Sequence, residues 1–200
     1  MQLRLDQLSA HLSKGAGALK PVYTLYGDEP LLAQEAGDAI RTAARAAGFT
    51  ERQVHTVSGA HFDWSGLLGA ASEMSLFGDK QIIEIRIPSG KPGKEGSQAL
   101  QQYCEAAQGN DGLLTLVTLP RLDKTQQNSA WFTALDGTGL TLRCDPIERG
   151  QLPLWIAQRL AAQGQHVEPG EAGQRTLAFF ADRVEGNLLA AHQEIVKLGL

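Results

Sequence analysis

The order of apolar and polar positions divides the 200-residue chain into two stretches of different character. In the first, short apolar runs alternate with segments of helical period. Residues 22–26 read as a buried strand. Residues 30–47 read as a helix, with Leu32, Ala36, Ala39, Ala43 and Ala47 at helical spacing and Gly48 stopping it. Residues 53–57 form a short second strand, and Asp63 is placed to cap a helix whose inward face is Trp64, Leu67, Leu68 and Ala71. Residues 81–87 alternate so that Ile83, Ile85 and Ile87 share a face. Residues 88–97 hold two prolines and three glycines and read as a loop. A helix over 97–108 turns Leu100, Tyr103, Cys104 and Ala107 inward, and the largely apolar run 113–118 suits a strand covered on both faces. A helix over 123–135 and a fifth strand over 139–144 follow. Ahead of all these, MQLRLDQLSAHL reads as a short amphipathic helix with Leu5, Leu8 and Leu12 inward.

This alternation predicts an α/β domain with a mainly parallel five-stranded sheet flanked by helices. After Asp145-Pro146 the strand pattern ceases. Residues 151–163, 170–184 and 187–199 all read as helices, separated by 164–170 and by Glu185-Gly186. The expected division is an α/β domain over 1–144 and a small three-helix domain over 145–200. The pattern stops at Leu200 without a polar tail, which reads as a piece of something longer.

Composition changes this picture little. Hydrophobic residues make up 42% and charged residues 20%, ordinary for a globular chain. No run of eighteen apolar residues suggests a membrane span. Arg4 and Asp6 interrupt the apolar pattern that a signal peptide would need. The net charge of −4 gives no overall electrostatic footprint for nucleic acid. Cys104 and Cys144 stand far apart, which fits buried thiols in a reducing, cytoplasmic setting. The histidines, His55 and His61 included, lack metal-ligand spacing.

Candidate chemistry begins where the first strand ends, at Tyr26-Gly27-Asp28-Glu29-Pro30. A strand, a glycine and an immediate helix form the architecture of a phosphate-binding loop. That loop also needs a second glycine, a lysine and a hydroxyl residue at fixed spacing. Counted from Gly27, those places hold Leu32, Ala33 and Gln34. Asp28 and Glu29 set negative charge where a triphosphate needs positive, and suit a helix N-terminus instead. The strand 113–118 runs into Leu119-Pro120-Arg121 rather than into acidic residues that would handle magnesium. The expectation is an architecture without its chemistry: no nucleotide or metal cofactor and no catalytic residue.

A second stretch, Glu73-Met74-Ser75-Leu76-Phe77-Gly78-Asp79-Lys80, joins the second helix to the third strand. Leu76 and Phe77 read either as a local plug on the domain's own core or as an exposed anchor for a partner's pocket. At this point the chain resembles a family, the delta subunits of the bacterial DNA polymerase III clamp loader, in their proteobacterial form. The resemblance is carried by Tyr26-Gly27-Asp28-Glu29-Pro30-Leu31-Leu32 with Gln34-Glu35, by Met74-Ser75-Leu76-Phe77, and by Lys124 with Asn128 and 130–135. It continues through Gln151-Leu152-Pro153 with Trp155 and through 185–190.

The resemblance implies an AAA+-like fold, of the RecA type, that has lost ATPase chemistry. It implies a non-enzymatic subunit of a holoenzyme with DNA-directed DNA polymerase activity. It implies that Leu76 and Phe77, with Met74 and Ser75 shaping the loop, enter a hydrophobic pocket of the ring-shaped beta sliding clamp and promote its opening. The implied partners are that clamp and the other loader subunits, gamma/tau and delta prime. The latter are reached through a C-terminal collar domain absent from this chain. A weak contact with primer-template DNA and no membrane partner complete the list.

Arg143, in Leu142-Arg143-Cys144, reads as an ordinary strand residue. Two other readings stand beside this one. A divergent nucleoside-triphosphatase would use the Gly27 junction. A DNA-binding module would use Lys80, Lys91, Lys94, Arg121 and Lys124.

Overall fold

The computed structural model describes residues 1–59, 61–72, 80–184 and 186–199. By their contacts they divide into two compact units. One comprises Met1–Asp28 with Leu32–Asp145, the other Glu29–Leu31 with Pro146–Leu200.

The first unit is built on a parallel sheet of six strands in the order β1-β6-β2-β5-β4-β3. The strands are β1 (Gln2–Leu3), β2 (Val22–Tyr26), β3 (Phe49–Thr56), β4 (Lys80–Arg86), β5 (Leu113–Leu119) and β6 (Leu140–Arg143). Strands β2 and β5 are buried on both faces, as parallel strands covered by helices must be. One face packs Val22, Tyr26, Ile83, Ile85 and Val117 against α3 (Trp64–Ser72), α4 (Gly93–Gln108) and α6 (Ala130–Thr138). The other packs Tyr23, Leu25, Ile82, Leu116 and Leu142 against α2 (Pro30–Ala46) and against Leu8 of α1 (Leu8–Leu12).

The observed elements depart from the sequence pattern in five places. The sixth strand, β1, is two residues that pair with Thr141 and Leu142 of β6 inside the stretch read as an amphipathic helix, where only Leu8–Leu12 is α-helical; two residues are too short to register as a period. Strand β3 starts at Phe49 rather than at 53, because the ladder to β4 runs from Phe49↔Lys80 through polar residues with no apolar signature. Helix α2 buries Ala36, Ile40 and Ala44 and leaves Ala39 exposed, a face turned from the one expected.

Helix α4 starts at Gly93, inside the stretch expected to be a loop. Gly96 is the reason the glycines there are compatible with helix: a Cβ on it would lie 2.3 Å from the Trp64 ring, so its absence lets α3 and α4 meet. The helix expected over 123–135 is two. α5 (Lys124–Gln127) ends at Asn128, and α6 begins after Ser129.

The second unit holds α7 (Leu152–Ala162), α8 (Glu171–Val184) and α9 (Leu188–Leu198). Pro153 occupies the first turn of α7, where its missing N–H costs nothing. Asn187 caps α9 by accepting a hydrogen bond from the Ala190 amide at 2.9 Å. Among the described residues no helix is long and apolar enough to cross a membrane.

Candidate functional site

Parallel strands give the sheet two chemically distinct ends, and the two candidate stretches fall at opposite ones. The Gly27 junction leaves the C-terminal end of β2. The segment 73–79 leads into the N-terminal end of β4.

At the first end, backbone and side chains stitch the strand tips together. The Gly27 amide donates to the Leu119 carbonyl at 3.3 Å, and the Cys144 amide donates to the Tyr26 carbonyl at 2.7 Å. Gly27 has φ +145°, and a Cβ there would lie 2.1 Å from the Cys144 carbonyl oxygen. Asp28 accepts the Arg121 amide at 3.1 Å, tying the β2 tip to the segment after β5. Glu29 accepts the amide of Leu31 at 3.2 Å, a local bond at the start of α2. The glycine is thus fixed by a close approach to a carbonyl, and both acidic side chains serve backbone amides. Among the described residues no group of three His, Cys, Asp or Glu is placed to hold a metal ion.

At the other end, Met74, Ser75, Leu76 and Phe77 lie outside the described residues. The stem that carries their segment is described. Asp63 caps α3: its carboxylate accepts from the Ser65 hydroxyl at 2.6 Å and the Gly66 amide at 3.0 Å. These two donors hold its carboxyl below the ordinary carboxylate range. Trp64, Leu67 and Ala71 are buried beneath. The last turn of α3 is then pinned by two amide side chains. Gln81 donates to the Ala70 carbonyl at 3.0 Å, and Asn110 donates to the Ala71 carbonyl at 3.2 Å. These carbonyls would otherwise lack partners at the helix end. Beyond the segment, Lys80 opens β4 with Nζ 3.4 Å from the Ala47 carbonyl and 5.2 Å from the centre of the Phe49 ring.

Further along β4 stands Glu84, whose side chain is 3% exposed and faces Arg41 at 3.0 Å, Arg52 at 2.7 Å and Arg86 at 3.3 Å. Burial alone would raise its carboxyl. The Arg52 and Arg41 guanidiniums outweigh that and hold it below its ordinary value. This cluster ties β4 to β3 and α2, so the strand entered at Lys80 is anchored on both sides.

The basic side chains considered for DNA do not form one patch. Lys80 is at the start of β4, whereas Lys91 follows its end. Seven strand residues separate the two ends, about 20 Å at strand rise. Lys91, Lys94, Arg121 and Lys124 are exposed. Arg143 is a β6 residue paired with Asp145.

Gln81 and Asn110 were not marked by the sequence pattern. The contact from Asn110 to Ala71 spans 39 residues, and only the turn-prone Asn110-Asp111-Gly112 hints at special backbone there.

A family model described as DNA polymerase III, delta subunit, matches residues 23–145. The chain is 34% identical over 200 residues to the DNA polymerase III subunit delta of Escherichia coli K12, covering 100% of this chain and 55% of that relative. It therefore spans about half the length of that relative. Among solved structures, the Bacillus subtilis DNA clamp loader delta protein superposes with a TM-score of 0.69 at 18% identity, over 98% of this chain and 57% of that one. The Aeropyrum pernix ORC2 protein, solved as ADPNP–ADP complexes, superposes at 0.51 with 15% identity, over 97% of this chain and 60% of that one. The fold is the AAA+-like α/β arrangement, with six strands in its sheet and a helical C-terminal part.

Proposed function

Because the chain belongs to the DNA polymerase III delta-subunit family, we propose that it is the part of a clamp-loader subunit that grips the beta sliding clamp and promotes its opening. Leu76 and Phe77 are the anchors, and Met74 and Ser75 shape the segment that presents them. The observation that carries this reading is the stem. Gln81 and Asn110 hold the last turn of α3, and Lys80 is held at the start of β4, so the described residues on either side of 73–79 are fixed. Burying a leucine and a phenylalanine contributes about 1.5–3 kcal/mol each. Micromolar binding needs about 8 kcal/mol, so contacts around the anchors supply the remainder.

The stitched Gly27 junction supports a subunit that is itself no ATPase. Its glycine is consumed by the Cys144 carbonyl and its acids by backbone amides, and the lysine position holds Ala33. The other loader subunits, gamma/tau and delta prime, are proposed to join through a C-terminal domain beyond this span. Primer-template DNA is a weak contact, and the site of action is the cytoplasm.

Surface plasmon resonance of the full-length protein on immobilised cognate clamp tests the anchor. The double variant Leu76→Ala/Phe77→Ala is expected to lose about 100-fold or more in affinity while its circular dichroism stays unchanged. Equal binding by a folded double variant would return both residues to the protein's own core.

A further inference from the structure

At the N-terminal end of the sheet, next to the start of β4, lies a cleft of about 440 Å³. It is bounded by the ends of α2 and α4, the turn at Ala16–Ala18 and the first residues of β3, β4 and β5. Its floor is apolar, with Phe49 and Leu114 both buried. Among the described lining residues the charges are Lys20, Lys80 and the carboxylate of Asp111, cationic in balance.

Both lysines start from fixed points. Lys80 is held by the Ala47 carbonyl and the Phe49 ring. The backbone amide of Lys20 donates to the hydroxyl of the fully buried Tyr23 at 3.1 Å, so its side chain leaves the fold from a defined place. An apolar floor with two lysines in the lining matches a segment that carries an apolar side chain and carboxylates. Two of the lining residues, Lys80 and Asn110, also belong to the stem of the segment 73–79. The cleft therefore borders described residues on both sides of that segment, Ala71 through Asn110 and Lys80 directly.

We propose that this cleft is a second docking point for the same partner, taking an apolar, carboxylate-bearing segment of the sliding clamp. The inference rests on the clamp-binding reading above. In it, the clamp's carboxylates lie on Lys20 and Lys80 and its apolar side chain on the Phe49 ring.

The test is binding of the full-length protein to cognate clamp at about 50 and about 300 mM salt, bracketing weak and strong screening. Lys20→Glu alters an exposed side chain, and Lys80→Gln keeps a donor for the Ala47 carbonyl, so both are expected to fold. Lys14→Glu, exposed and outside the cleft, is the charge control. Each cleft variant is expected to weaken binding about fivefold and the pair about tenfold or more at low salt, with the difference shrinking at high salt. The control stays within about twofold of wild type. If the cleft pair binds like wild type while Leu76→Ala/Phe77→Ala loses binding, the cleft proposal fails and the anchor reading stands. If wild type does not bind the clamp, both fall.

Discussion

Gly27 shows how one residue type can serve different ends. A glycine after the first buried strand invites a phosphate, yet here its missing side chain admits the Cys144 carbonyl, 2.1 Å from where a Cβ would stand. Gly27→Ala is therefore expected to destabilise the first unit by about 2–4 kcal/mol, through a backbone clash added to an unfavourable φ. Urea unfolding reads the change, and an unshifted midpoint would mean that the strand tips are not in contact. Cys104 carries a second residue-scale expectation. Burial pushes its thiol up to about 11. Labelling by a maleimide at pH 8 should proceed at the rate of unfolding rather than of simple thiol reaction. Single residues were legible where their partners are local. Asp63 bonds an amide three residues on, and its cap was read directly. Gln81 and Asn110 bond across 11 and 39 residues, and no local pattern marks such a pair.

Elements were legible where an apolar period sets them, as in β2, β4 and β5. They were misread where tertiary contact overrides composition. Residues 93–96 look like loop, but α4 extends through them because Gly96 lies under the Trp64 ring. Strand β3 carries polar residues along most of its length and is held by its ladder to β4 and by the guanidiniums around Glu84. That cluster makes the element scale testable. Glu84→Gln leaves Arg41, Arg52 and Arg86 without their shared carboxylate and is expected to cost about 2 kcal/mol. Its pH dependence has a definite sign. The folded carboxyl lies below its ordinary value, so its contribution is complete above the unfolded range near pH ~4.3 and is lost as pH falls through the folded value. Denaturant titrations at neutral and acidic pH should show wild type losing more stability than Glu84→Gln over the drop. Parallel losses would assign acid sensitivity to other groups.

At the scale of the whole molecule, the α/β class followed from the alternation of periods, while the sixth strand did not, because two residues carry no period. The candidate anchors were named from a resemblance and lie outside the described residues, while the residues on either side of their segment are held by Gln81, Asn110 and the contacts of Lys80. The proposed division of labour between the two sheet ends yields a further expectation. Titration of the full-length protein with a fluorescent adenine nucleotide and magnesium should show no binding tighter than about millimolar, well short of the roughly 8 kcal/mol of a micromolar site. Binding in the micromolar range would overturn the reading of the Gly27 junction. Ring opening poses the stricter demand. A protein that binds open and closed rings equally shifts nothing, however tightly it holds them. The decisive measurement is the affinity of the full-length protein for the closed clamp and for a clamp whose subunit interface has been weakened, with Leu76→Ala/Phe77→Ala alongside. Tighter binding to the weakened ring, lost in the double variant, is the result this account requires. Equal affinity for the two rings would leave a clamp binder but not a clamp opener, and binding unaffected by the double variant would contradict the anchor itself.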